Sequence, residues 1–387
     1  MGQSQSKMEG ESSEVHEFPE EIIEEILKRL PVKPLVRFRC VSKSWLSIIS
    51  SPVFIKLHLD TSLKNNTTHS HTRLICVSAD PQNHFRIFPL RHLMDEEETE
   101  TETEPITSVS YNAGYPDVPM RIVGSCRGMV CVALNEEKFY LWNPSIRRQI
   151  LLPPLNICPE FDFYMKDGFG YEEFTDDYKV VAILFCNSRA GPFKVKIFSL
   201  RANAWKRIED FKYGNPLDNS GVCLNGKLHW LVDEDSYPGI VSLDLLTEEY
   251  ARVGPPYNAS DNSCAIVEYD EPCLTLGLFN GSLCMLSDDH RTNMDLWVMK
   301  DYGVVDSWDR VVRVSHLGNP GFYPHVLRVI ALDEDRILFL YGCVVVVYSL
   351  KNCSYWYPPT DSVAAVQHAD VFVESLISPC DYEANRM

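Results

Sequence analysis

Four carboxylates crowd one short stretch, Glu172-Glu173-Phe174-Thr175-Asp176-Asp177, and carboxylates so placed are the groups that acid–base chemistry or a hard cation would use. The stretch lies between the apolar runs DGFGY and YKVVAI, so it reads as a solvated hairpin tip. His69 and His71 stand two apart, but no C-x-x-C pair accompanies them, so no metal site is expected. Gly168-Phe169-Gly170 lacks the third glycine of a dinucleotide loop and precedes a strand-like segment. No G-x-S-x-G, P-loop, H-E-x-x-H or kinase signature occurs, so neither a catalytic residue nor a cofactor is expected. One pattern does invite chemistry: MGQSQSK places Gly2 and Ser6 as in N-myristoylated proteins. A single acyl chain binds a bilayer only marginally, and Lys7 is followed by Met8 and Glu9 where a basic patch would be needed. Stable membrane insertion is not expected.

With reactive groups so sparse, composition turns attention to binding. The chain has 387 residues, which favours one large domain with a smaller companion. Hydrophobic residues make up 45% and aromatics 11%, and their arrangement in short runs leans toward β structure. Net charge is -18, whereas nucleic acid or an anionic membrane calls for a basic surface, so no nucleic-acid partner is expected. Seven of the negative charges fall in one run, Asp95 to Glu104, which reads as a disordered loop. The thirteen cysteines are odd in number and scattered singly, as befits reduced thiols in the cytoplasm or nucleus. No secretory signal is expected, and the longest apolar stretch, Ile337 to Tyr348, has 12 residues where a membrane-spanning helix takes about 20.

Residues 18–54 carry a different period. Ile22, Ile23, Ile26, Leu27 and Leu30 recur at helical spacing, predicting a helix from about Glu20 to Leu30. Glu20 and Glu21 in its first turn and Lys28 and Arg29 in its last suit the helix dipole, and Pro31 stops it. A second short helix is expected from Pro34, and a third carries Val41, Trp45, Ile48 and Ile49 before Pro52 ends it. Three helices in about 40 residues rarely bury enough apolar surface to fold alone. The excess needs a cover, either a partner protein or the rest of the chain.

The order Phe18-Pro19, Ile22/Ile26, Leu30-Pro31-Val32-Lys33, Leu35-Val36-Arg37, Arg39-Cys40-Val41-Ser42-Lys43 and Trp45 resembles the F-box motif. Phe18 stands where that family more often has Leu. The resemblance implies that this segment docks on a Skp-type adaptor, and through it on a cullin and a RING subunit. The implied contact set is Pro19, Ile22, Ile26, Leu30, Pro31, Leu35, Val36, Val41 and Trp45.

The remainder of the chain repeats. Tight-turn dipeptides at Arg127-Gly128, Asp176-Asp177, Asn225-Gly226, Asn280-Gly281 and Glu334-Asp335 separate apolar runs, with steps of 49, 49, 55 and 54 residues. A second marker, an apolar strand ending at Trp142, Phe198, Leu243, Trp297 and Tyr348, steps by 56, 45, 54 and 51. A shared period near fifty predicts four-stranded propeller blades. Segments 72–90 and 363–376 each read as a half-blade, and pairing the two would complete about six blades while removing open sheet edges. Trp142, Trp205, Trp230, Trp297 and Trp308 read as residues that hold blades together. GSCRGMVCV, LWNPSIRRQILLPP, DGFGYEEFTDDYKVVAI, VCLNGKLHWL and VFVESLISP, in that order, resemble the plant F-box-associated domain, a kelch-like propeller without the kelch Gly-Gly pair. Arg127 replaces that family's usual Asn, which leaves open the type of the turn.

The expected architecture is therefore an α+β multidomain chain, a three-helix F-box followed by an all-β propeller-like domain. Its parts are a disordered start (1–16), the F-box (17–62), a linker with the first half-blade and the acidic loop (63–104), the F-box-associated domain (105–378) and a tail (379–387). The two resemblances together imply a substrate receptor of a Skp–cullin–F-box ubiquitin ligase, with an unidentified protein bound by the propeller. A non-degradative scaffold and a propeller enzyme are the competing functions.

Overall fold

The computed structural model describes residues 19–64, 70–78, 84–94, 107–110, 120–135, 138–156, 163–186, 193–234, 237–256, 273–288, 293–315, 327–332, 335–341, 343–358 and 366–384. The F-box segment begins with α1 (Glu20–Leu27), which gives way earlier than the periodicity predicts. Arg29 N–H bonds Ile26 O and Leu30 N–H bonds Leu27 O, a tightened last turn that delivers the chain to Pro31. The next helix, α2 (Val32–Phe38), starts at Val32 with Pro31 as its cap, and Pro34 lies in the first turn, where its missing N–H costs nothing. Ser42 caps α3 (Lys43–Ser50) by accepting a hydrogen bond from Trp45 N–H at 3.1 Å. Pro52, read as a stop, instead opens a fourth helix, α4 (Pro52–Lys64). Its inward positions are Phe54, His58, Leu59 and Ser62, and two polar residues among them hide the apolar period.

Beyond the helices the described residues form six strand units, the third and fourth of them joined in one nine-stranded sheet by a parallel pairing of their leading strands. The first joins Val366–Val373, Thr72–Ser78, His84–Pro89 and Thr107–Ser110, so the segments from both ends of the chain share one sheet. The second is a meander of Met120–Cys126, Met129–Leu134, Lys138–Asn143 and Arg148–Leu151. The third runs Phe163–Glu172, Asp177–Cys186, Lys194–Ser199 and Ala204–Arg207. The fourth runs Ser220–Leu224, Lys227–Glu234, Tyr237–Asp244 and Tyr250–Val253, with Asn215–Pro216 also on Lys227–Glu234. The fifth is Cys273–Phe279, Ser282–Asp288, Asn293–Met299 and Trp308–Ser315. The sixth is Leu327–Leu332, Arg336–Tyr341, Val344–Ser349 and Ser354–Trp356. Each unit's leading strand neighbours the next one's in a closed circle, which makes the domain a propeller.

Turn chemistry explains the meanders. Arg127 and Gly128 have φ of 44° and 80°, Asn225 and Gly226 51° and 70°, and Asn280 and Gly281 46° and 76°. Positive φ at both central residues is the type I′ hairpin, so Arg127 forms the same turn as Asn. At Gly128 an added Cβ would also lie 2.1 Å from Ser375 Oγ. The hairpin expected at Asp176-Asp177 is wider: Glu172 pairs with Asp177, leaving 173–176 as a four-residue loop.

Indole N–H groups stitch unit to unit. Trp205 donates to Pro153 O, Trp230 to Asp167 O and Trp308 to Gly254 O, each at 2.8 Å. Three leading strands are further tied by a buried ionic cluster. Arg121 donates to Asp167 Oδ1 at 2.9 Å and to Ser220 Oγ at 2.8 Å, while Ser220 Oγ donates to Asp167 Oδ1 at 2.7 Å. Asp167 is fully buried, and such mutual satisfaction is needed because an unpaired buried charge is costly.

The F-box core is not self-contained. Leu27, Val32, Leu35, Ile48, Ile49 and Phe54 pack around Leu376, contributed by the segment after the last strand, with Ile146 of the propeller at the edge. Replacing Leu376 by Ala is expected to cost about 2–5 kcal/mol through the cavity left in that core. Thermal unfolding of the full chain checks it, and a melting curve identical to wild type would contradict this account.

Candidate functional site

Helix geometry divides the apolar residues of the F-box into two faces. On α1 the residues Ile23 and Leu27 turn toward the core, while Ile22 and Ile26, one position earlier in each pair, turn out with exposures of 45% and 57%. On α2, Val32 and Leu35 are buried three apart and Val36 is 39% exposed. In the turn between α2 and α3, Val41 is 60% exposed. Pro19 is exposed as well, and Leu30, Pro31 and Trp45 are half-buried, Trp45 meeting Phe38 edge-on at 5.3 Å between ring centres. Of the nine residues in the expected contact set, Leu35 is the one the fold withdraws from any partner: it is fully buried in the F-box core. Leu46, Val53 and Leu57 add exposed apolar surface that the sequence pattern did not single out. Since α4 was not anticipated, Val53 and Leu57 had no helix face to be assigned to.

The Leu30-Pro31 turn is held from behind by the propeller side. His58 Nε2–H of α4 donates to Leu30 O at 2.8 Å, and His71, just before the first strand, bonds the carbonyl of Arg29. The two imidazoles meet edge-on, 5.9 Å between centres. Burial holds both below the ordinary histidine value, and at His71 the neighbouring His58 and Arg73 add to the effect. Glu374, at the end of the closing strand, accepts from Arg73 Nε at 3.0 Å. Burial raises its pKa, against the pull of Arg73 and of the Val32 amide at the start of α2. The C-terminal segment thus brings a carboxylate to the head of a helix that has no side-chain cap of its own.

Comparison with known proteins agrees with this two-part geometry. The family model described as the F-box domain matches residues 15–57, and the one described as the F-box associated beta propeller domain matches 80–357. An F-box/kelch-repeat protein of Arabidopsis thaliana is 31% identical over 375 residues, covering 95% of this chain and 97% of its own. The F-box protein CPR1 of the same plant is 27% identical, with 95% and 91% covered. This chain is a plant-type F-box protein with an F-box-associated propeller. Its relatives place it among adaptor-type proteins.

The remaining sequence candidates of this F-box protein are structural. Glu172 accepts from the amides of Phe174 at 2.6 Å and Thr175 at 2.8 Å, and Asp177 from Ser199 Oγ at 2.6 Å and Arg201 N–H at 2.9 Å. Asp176 accepts from Tyr171 OH and lies 3.7 Å from Lys56 of α4, while Glu173 lies 3.8 Å from Arg127. Arg127 itself donates to Asp60 of α4 at 2.6 Å. Glu172 and Asp177 therefore build the loop, while Glu173 and Asp176 stand exposed at its tip as expected, Asp176 facing α4. Among the described residues no group of three His, Cys, Asp or Glu side chains could hold a metal ion, and no helix is long and apolar enough to cross a membrane. Gly2, His69 and the run Asp95 to Glu104 lie outside the described residues.

The histidine pair generates a pH dependence. Both rings have folded-state pKa values below the ordinary 6.5, so the folded state binds fewer protons than the unfolded chain. The stability that depends on their neutrality is present above that value and lost as pH falls through it. The unfolding midpoint is expected to drop between pH 7.5 and pH 5.5, and His58→Gln should shrink the drop. Equal drops in wild type and variant would show that the pair is not responsible.

Proposed function

We propose that this F-box protein is the substrate-recognition subunit of a Skp–cullin–F-box ubiquitin ligase. The observation that carries the reading is the exposed quartet Ile22, Ile26, Val36 and Val41, standing outside a core already filled by Leu27, Val32, Leu35 and Leu376. Apolar side chains left outside a full core are surface for a partner, and the family's partner for this surface is the Skp-type adaptor, which recruits cullin and RING subunits. Pro19 is exposed and Leu30, Pro31 and Trp45 are half-buried, so each keeps surface that a partner could meet. Leu35 supports the quartet from within.

The acyl transfer belongs to other subunits in this reading, so the chain needs no catalytic residue and no cofactor. The work proceeds in the cytoplasm or nucleus. Arg127 and Asp176, which face α4, and Ile146, which meets the F-box core, all lie in the turns at one end of the strands. The strand ends at Leu134 and Lys138, Glu234 and Tyr237, and Asp288 and Asn293 point the opposite way. Those ends are the side on which a protein substrate is met with least obstruction by the adaptor.

The test replaces Ile22, Ile26 or Val41 by Asp in the full chain and measures binding to a purified Skp-type adaptor. Each charge on the contact is expected to cost about 2–4 kcal/mol, a loss of roughly 30- to 1,000-fold, with the thermal transition unchanged. Wild-type affinity in all three variants would remove the docking assignment. If the adaptor binds but proteins captured by the propeller keep the same half-life with and without proteasome inhibition, the chain is a scaffold.

A further inference from the structure

Charge around the F-box helices runs against the trend of the whole chain. Net charge is -18, yet residues 28–43 hold six cations, Lys28, Arg29, Lys33, Arg37, Arg39 and Lys43, and no carboxylate. Two of the six are answered within the first helical turns, where Glu25 pairs with Lys28 and, at 3.6 Å, with Arg29. Lys33 is offset by Glu374, the carboxylate brought to the head of α2. Arg37, Arg39 and Lys43 have no ion pair among the described residues.

Local folding does not favour these positions. Lys43 opens α3, where a cation opposes the positive end of the helix dipole, and that helix has no acid in its first turn. Lys33 stands in the first turn of α2, which also lacks an acid. Arg37 follows it by four residues, a like-charge spacing that destabilises a helix. With Val32 and Leu35 turned into the core, Lys33, Val36 and Arg37 share the outward side of α2. Past the turn come Arg39, the exposed Val41 and then Lys43. The cations are thus interleaved with the apolar residues that the core leaves outside.

We propose that the α2–α3 face receives an acidic protein surface: Arg37 and Lys43, flanked by Lys33 and Arg39, meet carboxylates of the Skp-type adaptor around the contacts of Val36 and Val41 and steer its approach. This rests on the reading of the F-box helices as the adaptor-docking face.

Other polyanions fit less well. Nucleic acid and an anionic membrane each present one sign of charge over a wide area. Here α1 sets Glu20, Glu21, Glu24 and Glu25 in the same small domain as the cations, and the chain as a whole repels a polyanion. A folded protein can match both signs. Charges at the rim of a contact act mainly on the rate of encounter, whereas apolar anchors act mainly on the rate of escape. The two parts of the face therefore separate in a kinetic measurement.

Association kinetics of the full chain with a purified Skp-type adaptor test the proposal. The double reversal Arg37→Glu/Lys43→Glu is expected to lower kon about tenfold or more at about 0.05 M salt, while koff changes less than about threefold. Raising salt to about 0.5 M should slow the wild type about tenfold and leave the variant nearly unchanged. Because the reversal could disturb α2 or α3, the salt response of the wild type decides by itself. A wild-type kon indifferent to salt, or a reversed variant with unchanged kon, would overturn the steering and leave docking through Ile22, Ile26 and Val41 standing. No adaptor binding at all would remove both. Co-sedimentation with phosphatidylserine vesicles covers the rival partner. Vesicle binding that the double reversal abolishes, with adaptor kinetics untouched, would assign the cations to lipid and sink the proposal.

Discussion

Val366–Val373 lies antiparallel along Thr72–Ser78, from Thr72 opposite Val373 to Ser78 opposite Val366. That ladder joins segments nearly 300 residues apart in the chain and brings the two ends of the propeller into one sheet. Without it the strand Thr72–Ser78 would present an open edge, which invites association with other chains. The closure also fixes where the last residues go. Leaving the sheet at Val373, the chain passes Glu374 to the head of α2, Ser375 to Gly128 and Asn143, and Leu376 into the F-box core. The F-box core and the closed ring consequently share a residue, and separating the chain near residue 65 would leave Leu376 uncovered on one piece and a hole in the other.

This coupling has a functional side. In the proposed role a receptor holds two partners at a defined separation, and a loosely tethered F-box would let that separation vary. Here the F-box sits on the tight-turn end through Leu376, Ile146, the Arg127–Asp60 ion pair and the paired histidines behind the Leu30-Pro31 turn. Individually the exposed ion pairs contribute little. Buried packing and satisfied carbonyls make the joint firm.

The same economy governs charge. The ring of leading strands encloses Arg121, Asp167 and Ser220 in mutual hydrogen bonds, so a polar cluster in the interior serves registration between blades. The carboxylates around Glu172 and Asp177 are spent on their own loop and on Ser199 and Arg201. Residue types that suggest chemistry by spacing are, in this chain, consumed by backbone amides and neighbouring hydroxyls.

Much of the fold is legible in the sequence alone. Local periodicity sufficed for the first three helices of the F-box, since residues such as Ile22, Ile26, Leu27 and Leu30 recur at helical spacing. The near-fifty repeat sufficed for blades, because Asn-Gly between apolar runs permits almost nothing but a hairpin. Long-range placement was not legible. The same periodicity that marks α1 cannot say which of its two apolar stripes is covered, and Leu35 reads as readily as Val36 for a contact residue. Which one is buried depends on Leu376, 341 positions further along. α4 was hidden because His58 and Ser62 occupy inward positions, polar residues tolerated there only where tertiary neighbours accept them. Sequence by itself determined the elements and their family, since local spacing encodes local structure; tertiary structure decided which faces close, because burial is set by what arrives from elsewhere in the chain.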